Sequence, residues 1–153
     1  MNKTPSVLGS HESQYTFYLP NAPILPKNWH HTQADAIPSL ISLNGNHWRK
    51  IVTIMAKIMC PLEDWKTYRD NDLLKKAESI YIGAKTLSPQ AQVHIISGQT
   101  AAERLALDVK KFQSINEKSV LKTFQSHLIV PYLDYRQYPN TLIAVTRDYL
   151  TTL

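Results

Sequence analysis

The sequence holds one cysteine, four glycines, and no apolar run approaching the roughly twenty residues that a membrane-crossing helix requires. The lone Cys60 excludes an intrachain disulfide framework and any four-cysteine cluster, so the cytoplasm is the expected compartment. The sparse glycines form no phosphate-cradling loop, since neither GxxxxGK nor GxGxxG occurs. HExxH and GxSxG are also missing, which removes the usual sequence basis for zinc peptidase or serine hydrolase chemistry. No metal and no cofactor is expected, and the adjacent His30 and His31 read as surface residues. The opening MNKTPSVLGSHES lacks the apolar centre of a signal peptide and reads as a flexible polar tail over residues 1–13.

Acidic residues are the scarcer sign, 12 against 17 Lys and Arg, for a formal charge of +5. That balance suits a polyanionic partner such as DNA. The charge is scattered, in Lys75–Lys76, Lys110–Lys111, Lys118 and Lys122, and solvation alone also accounts for each group. With 153 residues, 43% apolar and 19% charged, the chain reads as a single globular domain over residues 14–153.

Three strands stand out. Tyr15–Leu19 is aromatic and β-branched and is ended by Pro20–Asn21; Val93–Ser97 is apolar or small throughout; His127–Leu133 is interrupted by Pro131. Helices are expected over Ala36–Leu43 and, from an Asn46 cap, over Trp48–Met59, where Ile51, Val52, Met55 and Ile58 recur at helical spacing. The polar face of the second helix carries Arg49, Lys50 and Lys57. Pro61 opens a short helical turn with Glu63 and Asp64 at its start. From Asp72 a longer stripe of Leu74, Ala77, Tyr81 and Ala84 predicts another helix, although SIYIG within it favours a strand. After Gly98, Thr100 and Glu103 stand at capping-box spacing, and Ala101, Leu105, Val109 and Phe112 mark a buried face. Asn116–Gln125 is assigned a short helix, and Asn140 caps the last one. Strands alternating with helices predict an α/β fold: three layers, α/β/α, around a short, mainly parallel central sheet. Tyr15–Leu19, Val93–Ser97 and Leu128–Val130 are expected to be parallel neighbours or near-neighbours.

Open α/β sheets bind ligands at the carboxyl ends of their strands. That rule selects the loops Pro20–His31, Ser97–Thr100 and Pro131–Asn140. The second offers Gln99 beside a helix N-terminus. The third, PYLDYRQYPN, interleaves Tyr132, Tyr135 and Tyr138 with Asp134 and Arg136, a pattern of stacking faces beside a phosphate-pairing cation. The same residues also suit a plain structural role, with Arg136 paired to Asp134 and the tyrosines packed against the sheet end.

In order and length, YTFYLPNAPILP, the segment from LLKKAESIYIG to ISGQTAAERLAL, and HLIVPYLDYRQYPNTLIAVTRDYL resemble successive motifs of the uracil-DNA glycosylase superfamily. The resemblance implies a DNA- or nucleobase-binding edge. It places Asn21 where the family directs water, Tyr132 or Tyr135 against a flipped base, and Arg136 on phosphate. The family's histidine after the last strand is replaced by Val130-Pro131-Tyr132-Leu133, so standard glycosylase chemistry is not implied. The expected function is therefore nucleic-acid or nucleobase binding through Asn21, Gln99, Tyr132, Asp134, Tyr135, Arg136 and Tyr138. An interaction protein or oligomer subunit, and a small-molecule enzyme using the strand-end cleft, are the alternatives.

Overall fold

The computed structural model describes residues 6–153; the first five residues of the expected tail lie outside the described residues. Among the described residues seven strands form one sheet: β1 (Val7–Gly9), β2 (Tyr15–Leu19), β3 (Glu78–Ile82), β4 (Val93–Ser97), β5 (Gln113–Ser114), β6 (Lys122–Phe124) and β7 (His127–Val130). Their order is β1-β3-β2-β4-β7-β6-β5. The helices are α1 (Ala36–Asn44), α2 (Asn46–Met59), α3 (Trp65–Asn71), α4 (Gly98–Arg104) and α5 (Asn140–Leu150).

β2, β4 and β7 are adjacent and parallel, in the registers Phe17↔Ile95 and Ile95↔Leu128. The fold class nevertheless differs from the expected three-layer α/β/α arrangement with a short, mainly parallel sheet. The sheet is long and mixed. β3 pairs parallel with β2, but β1 joins β3 antiparallel, and β7, β6 and β5 continue antiparallel at the other edge. The chain is of mixed α+β type. Three segments account for the difference. Part of the supposed tail forms β1, where Leu8 is buried opposite Ile80. The stripe after Asp72 folds as strand β3, because Leu74 turns the chain at φ 68° and the β-propensity of Ser79–Ile82 then prevails over helical spacing. Lys122–Phe124, assigned to a helix, pairs instead with both β5 and β7.

Side chains alternate across this sheet. Phe17, Leu19, Ile80, Ile95, Leu128 and Val130 face the main core, where they meet Ile37 and Leu40 of α1, Ile51, Ile54 and Met55 of α2, and Ile143 of α5. Tyr18 and Ile96 point the other way and pack with Ala101, Ala102 and Leu105 of α4 and its end. Burying such side chains contributes about 1.5–3 kcal/mol each, so the α2 stripe anchors the fold.

Capping is rearranged relative to expectation. Thr100 is an exposed residue inside α4, which Ser97 precedes as N-cap without a side-chain bond; Gln99 Nε2 reaches Glu103 Oε1 at 3.1 Å instead. Asn46 and Asn140 are the first residues of their helices, not caps. The helix expected to open at Pro61 begins instead at Trp65, and Asp64, expected within its first turn, caps it. The Asp64 carboxylate accepts from Thr67 Oγ1 at 2.7 Å and Thr67 N at 3.1 Å, bonds that hold it below the usual carboxylate range. Helix α4 stops at Arg104 because Ala106 turns left-handed at φ 52°. Val109 therefore leaves the expected stripe, enters a 3₁₀ turn and is 54% exposed.

Candidate functional site

Pro131 ends β7, and the following loop closes into a tight turn in which Gln137 N and Tyr138 N both donate to the Asp134 carbonyl. The turn distributes the three tyrosines in different directions. Tyr138 is fully buried and donates to Thr146 Oγ1, which donates in turn to the Leu142 carbonyl; burial pushes its phenol pKa up. It is a core residue, not a ligand contact. Tyr132 is half-buried, its ring stacked on His47 with centroids 5.9 Å apart and its hydroxyl 2.9 Å from His47 Nε2. Burial, then the nearby Asp134 charge, raises its pKa. Tyr135 faces outward, 41% exposed.

Asp134 does not pair with Arg136. Its carboxylate accepts the Arg136 backbone N–H at 3.0 Å and lies 3.5 Å from Lys50 Nζ, and these contacts lower its pKa in that order. The Arg136 side chain is exposed and forms no ion pair among the described residues. Gln99 is exposed and engaged with Glu103, and Asn21 is exposed on the loop after β2, with no hydrogen bond tying it to the others. The loop therefore brings together Tyr132, Asp134, Tyr135 and Arg136. Asn21 and Tyr138 stand apart from that group, and Gln99 meets it only at Tyr132, with which it lines a cleft.

What the loop meets is α2, and through Lys57 the strip continues to α3. Lys50 Nζ lies 5.8 Å from the Tyr135 ring centroid, and Lys57 Nζ lies 5.8 Å from Tyr135 and 5.0 Å from Trp65. Arg69 follows, its guanidinium carbon 5.6 Å from Trp65. Cation and ring thus alternate from Lys50 through Tyr135, Lys57 and Trp65 to Arg69, each contact within the roughly 6 Å over which a ring quadrupole attracts a cation. Asn140 Oδ1 steadies Lys57 Nζ at 3.0 Å, and Asp70 Oδ1 accepts from Arg69 Nε at 2.9 Å. Lys50 and Lys57 lie two helical turns apart on α2, which is why both reach the same ring. That spacing is visible in the sequence; the approach of Trp65 and Arg69 is not, because it depends on the turn between α2 and α3.

Other polar groups serve the fold. His30 and His31 lie ring to ring at 4.3 Å, and burial followed by the His30 charge lowers the His31 pKa. Among the described residues no group of three or more His, Cys, Asp or Glu is placed to hold a metal ion, and no helix is long and apolar enough to cross a membrane. Cys60 is buried at the end of α2.

The fold and the strip define a mixed α+β protein presenting a cation–aromatic surface that runs from the loop after β7 along α2 to α3. By sequence, the profile of the family of unknown function DUF6942 matches residues 6–151, and the chain belongs to that family. No curated protein and no solved structure matches it, so neither comparison lends support to a glycosylase assignment.

Proposed function

We propose that the protein binds single-stranded nucleic acid along the strip from Arg136 and Tyr135 to Trp65, with phosphates on the cations and bases against the rings. The observation that carries this reading is the continuous alternation Lys50–Tyr135–Lys57–Trp65–Arg69 across three elements. A base has an aromatic face of its own and takes the place of a neighbouring ring, at about 1–3 kcal/mol per stack. The ammonium groups freed from those rings, together with the unpaired Arg136 and the exposed Arg49, then meet phosphate. The net charge of +5 favours the encounter, and the buried Cys60 suits a reducing compartment such as the cytoplasm. No glycosidic-bond chemistry is part of this reading, since Asn21 is exposed with no group converging on it.

Two variants test it by fluorescence anisotropy with a labelled thymine oligonucleotide. Tyr135→Ala is expected to weaken binding by about 1–3 kcal/mol with little change in salt dependence. Asp134→Asn is expected to tighten it, because it removes the carboxylate that competes with phosphate for Lys50. Unchanged affinity in both variants would place any binding elsewhere.

A further inference from the structure

Tyr132 has a second side. Facing away from His47, it helps line a cleft of about 660 Å³, within the roughly 300–1,000 Å³ usual for small-molecule sites. The cleft exists because α4 is short while the sheet continues past it. Ile129 of β7 and Lys122 of β6 are register partners and both line the opening beyond the helix. Val109, released when α4 stops, and Val120 form its rim, 54% and 41% exposed. Gly98, at φ 84°, lies where an added Cβ would meet the Tyr132 ring at 3.7 Å. Two amide side chains, Gln99 and Gln137, supply uncharged polar groups.

The informative residue is Lys122. It is half-buried, it lines the cleft, and no carboxylate is within ion-pair distance of it; the two ion pairs among the described residues are Lys50–Asp134 and Arg69–Asp70. A lysine that lines the cleft without a counter-charge, set beside apolar surface that water wets poorly, suits a partner carrying an anion on an apolar body. We propose that this cleft binds a small organic anion, its carboxylate or phosphate on Lys122 and its flat apolar portion against Ile129, Val109 and Val120. The site is separate from the cation–aromatic strip and stands whether or not the strip binds nucleic acid.

The test uses two probes of one shape, 2-naphthoate and the neutral 2-naphthamide, titrated into the full chain and followed by ¹H–¹⁵N and methyl NMR. Naphthoate is expected to shift resonances of Gly98, Val109, Val120, Lys122 and Ile129, and to bind about tenfold more tightly than the amide, the usual gain for a hydrogen bond to a charged group. Lys122→Gln is expected to erase that preference, while Tyr135→Ala, on the strip, leaves it intact. Equal binding of the two probes by the native protein, no binding, or shifts mapping elsewhere would each overturn the proposal. The comparison on native protein needs no variant to fold.

Discussion

Arg147→Met is expected to lower the stability of the fold by about 2–3 kcal/mol, the upper range for hydrogen bonds from a charged donor. From α5, the Arg147 Nη1 donates to the carbonyls of Lys57 at 2.6 Å, Ile58 at 3.2 Å and Cys60 at 2.8 Å. These carbonyls belong to the last turn and C-cap of α2, where no following residue supplies N–H donors and the helix dipole places partial negative charge. One guanidinium therefore closes α2 and fastens α5 to it. Methionine keeps the length of the apolar stem, so the loss isolates the guanidinium. Urea melts of the two proteins give the difference, and a midpoint within error of the native value would show that water replaces the arginine at no cost.

Acid is expected to act through His94, whose effect emerges as a difference between proteins. His94 is buried in β4 and stacked on His127 of β7, centroids 4.8 Å apart and rings 14° from parallel. Ser88 N donates to the Tyr18 hydroxyl at 2.8 Å, leaving the phenolic proton for His94 Nδ1 at 2.6 Å. That order assigns the imidazole proton to Nε2 in the neutral ring. Protonating Nδ1 breaks the chain and adds charge in a dry site beside a second histidine. Burial, then the His127 charge, accordingly lowers the His94 pKa from 6.5 to about 4. Between these values the unfolded chain takes up a proton that the folded one refuses. The stability contributed by neutral His94 is whole above about pH 6.5, declines as the pH falls, and levels off near pH 4.

A second group works against it. Glu78, buried where β3 begins, accepts from Tyr68 at 2.8 Å and from Leu74 N at 2.8 Å, yet burial still raises its pKa from 4.5 to about 7. Its contribution is complete below about pH 4.5 and is lost as the pH rises through 7, so the two limbs oppose each other over one range. A melt of the native protein alone would hide both. In His94→Gln an amide oxygen replaces Nδ1 as acceptor and nothing titrates. The native-minus-variant stability is expected to fall by about 2–3 kcal/mol from pH 7 to pH 4, at 1.36 kcal/mol per pKa unit with allowance for partial solvent access. A difference that stays constant with pH would show that His94 protonates freely in the fold.

The parts of the fold legible in the sequence are those whose signal is local. Tyr15–Leu19 and Val93–Ser97 are five-residue runs bounded by proline or glycine, and α2 repeats its apolar residues at a single period. β1, β5 and β6 span two or three residues each, too short for any period, and exist because a neighbouring strand offers backbone partners. β3 lay inside a convincing helical stripe; only the left-handed turn at Leu74, stabilised by Glu78 accepting its N–H, separates the alternatives. The composition of the Tyr132–Tyr138 loop marks it in the sequence, but which tyrosine points inward depends on the turn around Asp134. The partners of that loop on α2, Lys50 and Lys57, come from about eighty residues earlier in the chain, and no spacing within the loop announces them.

The central claim, that the cation–aromatic strip binds single-stranded nucleic acid, is tested most directly by anisotropy of a labelled thymine oligonucleotide with native protein across a salt series. Lys50, Lys57, Arg136 and Arg49 each neutralise one phosphate in this account, so log Kd is expected to rise with log salt at a slope of about 3. The slope is expected to drop by about 0.7 in Lys57→Ala, the value of one released counterion on a single strand. No binding at the lowest salt, where a site of this charge holds most tightly, or a slope indifferent to Lys57, would contradict it.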